Sequence, residues 1–525
     1  MSRRLFKSTL TVGGNTLLSR VLGLLRDIVL ARIFGAGAGT DAFFVAFKIP
    51  NFFRRLFAEG AFAQAFVPVL SETKTREDQQ AVKALVDNTA GTLGGVLLAL
   101  TVLALLATPV FIMVFGLGFW LNKPEQFDLA VEMLRVTFPY LMLISLTAFA
   151  GAILNSYGKF AVPAFTPVFL NLCLIGAALW LTPYFPEAGV KALAWGVLLA
   201  GIVQLAFQLP FLARLGLLPR PRWGWHFAGV RRILRLMLPA VVGSSAVQIN
   251  LIVDTVIASF LVTGSVTWLY YADRMVEFPL GVFGIALATV ILPKLSQQHA
   301  AENPQAFAGT LDWALRLVLV IGLPAALGLG LLAAPIIAAL FGYEAFEAAD
   351  VEMAALALMA YAIGLPAFIL VKILASAYYS RQDTKTPVRI AIIAMLANIF
   401  MNLGFVVPLV QLGVAGPHAG LALATGLAAW LNAGLLYRGL RRSGVYSPAP
   451  GWAGLWLRVV PGLVGLGVVV MLVQPATAWF DMSWSSRAGW LAGIVMVAAA
   501  VYLLWLWLSG GWRLLGRATA TRDTL

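Results

Sequence analysis

The chain is poor in the residues from which soluble chemistry is built. Its one cysteine, Cys173, sits in an apolar run, which excludes a disulfide framework or a thiolate metal cluster. The three histidines, His226, His299 and His418, are too scattered to assemble a zinc motif. Charge is scarce as well: only 11% of the 525 residues are charged, and 23 acidic residues face 37 lysines and arginines. No nucleophile–base constellation, metal motif or phosphate-binding glycine loop stands out. The polar stretches are short loops, so no soluble catalytic domain is expected, and the chain does not read as an enzyme.

What is present in excess is apolar side chain. At 61% hydrophobic residues and a mean hydropathy of +0.88, the composition is that of a polytopic membrane protein. Apolar runs of helical length fall at 9–34, 41–69, 88–114, 130–156, 161–182, 190–213, 233–261, 267–293, 311–335, 351–378, 387–409, 415–437, 454–475 and 488–510. Fourteen transmembrane helices are therefore expected in an all-α polytopic membrane protein. The runs are continuous and rich in Leu, Ala and Gly, which argues against a β-barrel. The start "MSRRLFK" resembles a secretory signal, but its apolar run continues through Arg20, Arg26 and Asp27 with no small-residue cleavage site. It is read as a retained first span.

The net charge of +14 invites a nucleic-acid reading, and its distribution argues against one. Loops and helix ends on the side of the termini carry 25 of the 37 basic residues, the opposite loops only Lys123, Lys191 and Arg487. The positive-inside rule then places both termini in the cytoplasm. The acidic loop "YEAFEAAD" falls on the far side, in agreement.

An internal duplication organises the spans. "FVPVLS" at Phe66 matches "ILPKLS" at Ile291, and Gly39 falls on Gly264 at the same offset of 225 residues. "ILNS" at Ile153 matches "ILAS" at Ile373, and "TPV" at Thr166 recurs at Thr386, about five residues out of that register. Two six-helix copies of one orientation follow, a parallel repeat with a substrate site expected at the interface of the copies. The division is an N-lobe at 1–215, a cytoplasmic linker at 216–232, a C-lobe at 233–440, and two C-terminal helices with a tail at 441–525.

Charges inside spans are costly and tend to be functional. Here they concentrate in the first, second and eighth helices. Seven cations (Arg20, Arg26, Arg32, Lys48, Arg54, Arg55 and Arg274) outnumber five anions (Asp27, Asp41, Glu59, Asp273 and Glu277). Ion pairs account for some of them: Arg20 or Arg26 with Asp27, and Arg274 with Glu277 one turn on. Arg135 and Arg316 read as helix-end snorkelling or local pairs. The surplus around a midplane cavity points to an anionic ligand, for which the planar guanidinium suits phosphate. A second, sparser group, Asp254, Asn398, Asn402 and Thr425, offers oxygen ligands for Na⁺, or equally interhelical hydrogen bonds. The last two helices could form an apolar wall for an acyl chain, or simply pack.

The stretch "SRVLGLLRDIVLARIFGAGAGTDAFFVAFKIPNFFRRLFAEGAFAQAFVPVL" resembles the start of the MurJ (MviN) lipid II flippases, and "WLYYADRMVEFPLGVFGIALATVILPKLS" and "YYSRQDTKTPV" are similar to the same family. The similarity extends over essentially the whole chain. It implies the multidrug/oligosaccharidyl-lipid/polysaccharide (MOP) exporter fold in the bacterial inner membrane. It further implies flipping of undecaprenyl-pyrophosphate-linked disaccharide-pentapeptide from inner to outer leaflet for peptidoglycan synthesis, by alternating access. Functionally important family positions match Arg20, Arg26, Asp41, Arg54 and Arg274. Asp273, Glu277 and Lys372 are matched as supporting polar residues. Arg55 joins the expected substrate contacts, and Asp27, Lys48 and Glu59 the supporting network. The lipid tail would occupy the groove of the last two helices. Lipid II and membrane lipids are the expected partners, with peptidoglycan-synthesis proteins as further candidates, no nucleic acid, and a monomeric state. No cofactor is expected, only a coupling ion (Na⁺ or H⁺) or the membrane potential. The alternatives are a drug/cation antiporter of the MATE type, which would favour an acidic, aromatic cavity, and a polysaccharide-lipid flippase of the same fold.

Overall fold

The computed structural model describes residues 3–55, 62–473, 479–511 and 513, without the side chains of 3–10, 238–248 and 285. Among the described residues every regular element is helical. Lipid leaves no other solution for an unpaired backbone short of a closed barrel. Packing divides the chain into two compact units, Met1–Thr267 and Trp268–Leu525.

In the first unit lie α1 (Arg3–Phe34), α2 (Ala38–Phe53), α3 (Ala63–Arg76), α4 (Gln79–Leu106), α5 (Thr108–Phe115), α6 (Leu117–Asn122), α7 (Pro124–Thr137), α8 (Tyr140–Ser156), α9 (Ala161–Phe165), α10 (Pro167–Gly176), α11 (Lys191–Arg214) and α12 (Ala228–Phe260). α13 (Ser265–Pro279) runs from the first unit into the second. After it come α14 (Ala286–Ala300), α15 (Pro304–Leu331), α16 (Ala333–Leu340), α17 (Ala348–Tyr379), α18 (Lys385–Gln411), α19 (Ala419–Arg442), α20 (Trp452–Leu472) and α21 (Trp484–Leu508).

Eleven helical stretches among the described residues are long and apolar enough to cross a membrane. They correspond one to one with the expected third to sixth and eighth to fourteenth spans. The remaining expected spans fall on α1, on α2 with α3, and on α12. Ends shift where a polar turn extends an apolar run. α4 starts at Gln79, nine residues before the expected apolar run at 88, because the Asp78 carboxylate caps it by accepting from Ala81 N at 2.8 Å. Asn303 does the same for α15.

The duplication is visible in element lengths. α4 and α15 have 28 residues each, α5 and α16 eight, and α11 and α19 24. Residues 280–285 form a wide π-type turn, and residues 54–55 and 62 adopt the same wide turn. At the offset of 225 residues Leu280 falls on Arg55. By repeat α12 opens the second copy, yet it packs on α3, α4, α5 and α6 within the first unit. α17 and α19 close on each other at two glycines: a Cβ on Gly364 would stand 2.5 Å from the Gly426 Cα.

Candidate functional site

Each unit carries part of the charge expected for the site, and the surroundings sort the charges. α1 presents Arg26 and Asp27 inward. Arg26 Nε and Nη2 both donate to Asp27 Oδ1, at 2.9 and 2.6 Å, and Nη1 donates to Asn171 Oδ1 of α10 at 3.1 Å. Asn171 Nδ2 returns a bond to the Ser19 carbonyl at 3.0 Å. Both ions are buried, so this network holds α1 to α10 and contributes little surface to a ligand. Asp27 pairs with its neighbour Arg26, and Arg20, one of its two expected partners, is exposed on α1 with no polar partner among the described residues. Neither Asn171 nor its bond was signalled by spacing; the only hint was a polar residue inside the run "FLNLCL".

Asp41 is equally enclosed. Its carboxylate accepts from Gly264 N at 2.7 Å, Thr267 N at 2.9 Å and Thr267 Oγ1 at 2.7 Å. Gly264 immediately precedes α13 and Thr267 lies in its first turn, so Asp41 caps another helix from a distance, where a carboxylate also complements the helix dipole. Nearby, Lys123 donates to the Leu261 carbonyl, and Gly118 N donates to Ser259 Oγ at 2.9 Å, tying α6 to the end of α12.

Further along α2 the cations meet less protein. Lys48 Nζ donates to Thr255 Oγ1 of α12 at 3.0 Å. Arg54, half-buried, donates from Nε to Asn51 Oδ1 at 3.1 Å, one turn back on the same face. Arg55 is exposed, with no polar partner among the described residues, and both arginines stand in the wide turn that ends α2. A wide turn rotates the following side chains away from their α-helical positions and recurs at functional sites. Glu59 lies outside the described residues. The first unit thus exposes Arg20 and Arg55 and partly exposes Arg54, while Arg26, Asp27 and Asp41 serve internal bonds.

In the second unit Arg274, half-buried, pairs with Glu277 at 2.7 Å, as the one-turn spacing predicts, and lies 5.8 Å from the Tyr270 ring centre. Asp273 and Lys372 are exposed. Arg316 forms the local pair expected of it, with Asp312 at 2.7 Å, both fully buried. Of the expected Na⁺ ligands, Asn398, Asn402 and Thr425 come together: Asn402 Nδ2 donates to Asn398 Oδ1 at 3.0 Å, and Asn398 Nδ2 to Thr425 Oγ1 at 3.4 Å. Asp254 belongs to the first unit and accepts from Asn250 Nδ2 at 3.4 Å. Among the described residues no cluster of three His, Cys, Asp or Glu side chains could hold a metal.

A duplicated helical membrane fold with arginines at a helix break defines a multi-pass membrane transporter. The same architecture occurs in an inward-facing multidrug resistance MATE family transporter of the MOP superfamily, with a TM-score of 0.62 over 83% of this chain and 98% of that one. At 17% identity that likeness shows the fold alone. A structure of lipid II flippase MurJ in an inward closed conformation superposes with a TM-score of 0.79 at 28% identity, covering 94% of this chain and 98% of that chain. The family profile described as "Lipid II flippase MurJ" matches residues 30–487. A "Probable lipid II flippase MurJ" of Vibrio cholerae is 48% identical over 519 residues, 97% of each chain. The "Lipid II flippase MurJ" of Burkholderia cenocepacia is 43% identical over 519 residues, 96% of this chain and 98% of that protein. The chain belongs to the MurJ lipid II flippase family, and with it to the multi-pass proteins of the inner membrane.

Proposed function

We propose that this protein moves lipid II, the lipid-linked peptidoglycan precursor, from the inner to the outer leaflet by alternating access. It acts as a transporter and makes or breaks no covalent bond. Arg20, Arg54, Arg55 and Arg274 engage the pyrophosphate and polar head, and the undecaprenyl tail stays in lipid beside α20 and α21. Both termini face the cytoplasm, as the basic loops require. The protein works as a monomer, and transport is driven by an ion gradient or the membrane potential, with no bound cofactor.

Family membership together with exposed arginines at the α2 break carries this reading. A guanidinium binds phosphate oxygens in a planar fork. The test is depletion of the protein in cells carrying a leaflet-specific lipid II assay. Lipid II should disappear from the outer leaflet and accumulate in the inner one within a few generations. Continued appearance on the outer leaflet would refute the proposal.

A further inference from the structure

The segment 216–227, "GLLPRPRWGWHF", leaves α11 and enters α12 without regular structure. It is laid backbone to helix along the start of α4. Arg220 N donates to Asp87 Oδ1 at 2.8 Å, Arg222 N to the Asp87 carbonyl at 3.1 Å, and Gly224 N to Thr92 Oγ1 at 3.0 Å. Two glycines one helical turn apart make the approach possible. A Cβ on Gly91 would stand 2.1 Å from the Arg222 carbonyl oxygen, and one on Gly95 2.6 Å from the Trp223 ring. In membrane proteins small residues at this spacing commonly admit a second helix. Here they admit an irregular strap.

These contacts fix the level of each strap residue against α4. On one side of that level α4 is polar, through Gln79, Gln80, Lys83, Asp87 and Asn88. On the other it exposes Leu98, Val102, Leu103 and Leu106, the face expected against lipid. Trp223 and Trp225 stand at the change-over, 65% and 45% exposed, their rings stacked at 6.2 Å. That is the depth at which tryptophan concentrates in membrane proteins. Around them the cations are unevenly committed. Lys83 pairs with Asp87 and Arg232 with Glu72, whereas exposed Arg220, Arg222 and Arg235 have no acidic partner among the described residues.

We propose that the strap is a membrane-surface anchor in which Trp223 and Trp225 enter the interfacial layer while Arg220 and Arg222, together with Arg235 of α12, bind the phosphates of anionic phospholipids. Basic side chains near an anionic leaflet are drawn to it within a Debye length. A stacked tryptophan pair at the lipid boundary fits the head-group layer and gives a soluble phosphate nothing to bind. The inference does not depend on what the protein transports.

The test is amide hydrogen exchange of segment 216–227 in the full-length protein, in nanodiscs of phosphatidylcholine with and without phosphatidylglycerol. Exchange should slow about fivefold or more in the anionic bilayer, as expected for a strap drawn onto charged lipid. The triple variant Arg220→Gln, Arg222→Gln, Arg235→Gln should lose that difference. Its thermal unfolding in detergent should match the parent's, because the three side chains are exposed. Equal exchange of the parent in both bilayers would overturn the proposal. So would slowing by soluble glycerol phosphate added to neutral nanodiscs, since the ligand would then not be lipid.

Discussion

At the scale of the residue, the ionisable groups divide by what they touch. Asp312, fully buried, accepts from Arg316 Nε and Tyr446 Oη at 2.7 Å, Trp452 Nε1 at 2.8 Å and Ala449 N at 3.1 Å. Arg316 Nη2 donates to the carbonyls of Ala449 and Pro450. Breaking such a pair leaves an uncompensated buried charge, at a cost of about 3–5 kcal/mol. Asp312→Ala should therefore lower the thermal midpoint in detergent by many degrees, while Asp312→Ala with Arg316→Met should recover much of the loss. The sequence left Arg316 between helix-end snorkelling and a local pair, and the i,i+4 partner Asp312 emerges only from the structure. The Asp41 bonds to Gly264 and Thr267 were not legible, because they join positions more than 220 residues apart through packing alone. His418, one residue ahead of the span Ala419–Arg442, is fully buried and donates from Nε2 to the Met353 carbonyl at 2.9 Å. Burial holds its imidazole well below the usual 6.5, against the opposing pull of the Met353 bond. The unfolded chain then binds a proton there that the folded chain refuses, so stability falls as pH drops below about 6.5. Midpoints at pH 7 and pH 5 should separate by more in the parent than in His418→Gln; equal separations would show that another group sets the dependence.

Among elements, the eleven apolar runs that match membrane-length helices among the described residues were readable because a span needs about 20 apolar residues and little else of similar length competes. Their ends were not, since amphipathic first turns such as Gln79–Asp87 look like loop until a cap fixes them. The wide turns at 54–55 and 280–285 were invisible as well. Nothing in hydropathy marks one extra residue per turn. α20 and α21 are fastened to the rest of the second unit at three levels. Trp452 and the Ala449–Pro450 carbonyls meet Asp312 and Arg316 at one end, and Tyr502 donates to the Val320 carbonyl at 2.9 Å midway. At the far end Arg487 donates to the carbonyls of Ala338, Gly342, Phe480 and Met482. A pair so fastened moves with that unit. The strap on α4 makes a sharper prediction. A methyl at Gly91 would collide with backbone, which cannot rotate away. Gly91→Ala should free segment 216–227 and expose it to trypsin at Arg222, with cleavage at least about tenfold faster, as expected for a displaced surface segment; unchanged cleavage would mean that the strap tolerates a different seat.

Over the whole molecule, duplication supplies two copies of one fold, and their charges differ. The first unit places Arg54 and Arg55 together in the wide turn that ends α2, and the second has Arg274, paired with Glu277, ahead of its own wide turn. The surplus of cation was legible by counting. Which cations are available was not, because Arg26 and Arg54 look alike in sequence, while only Arg26 is enclosed by Asp27 and Asn171. This difference makes the proposed roles separable. Arg20→Gln with Arg55→Gln removes two exposed charges and no described bond, so the fold should be unaffected while flipping fails. Arg54→Ala should fail to support growth while inserting normally, and Arg54→Lys should rescue only in part because an ammonium lacks the fork. Arg26→Ala should instead lower thermal stability, since it strands Asp27 in the interior. Complementation of depleted cells, read beside thermal midpoints of the purified variants, distinguishes the two groups. If Arg20 and Arg55 could be neutralised together without loss of growth, head-group binding would have to rest on Arg54 and the second unit's Arg274.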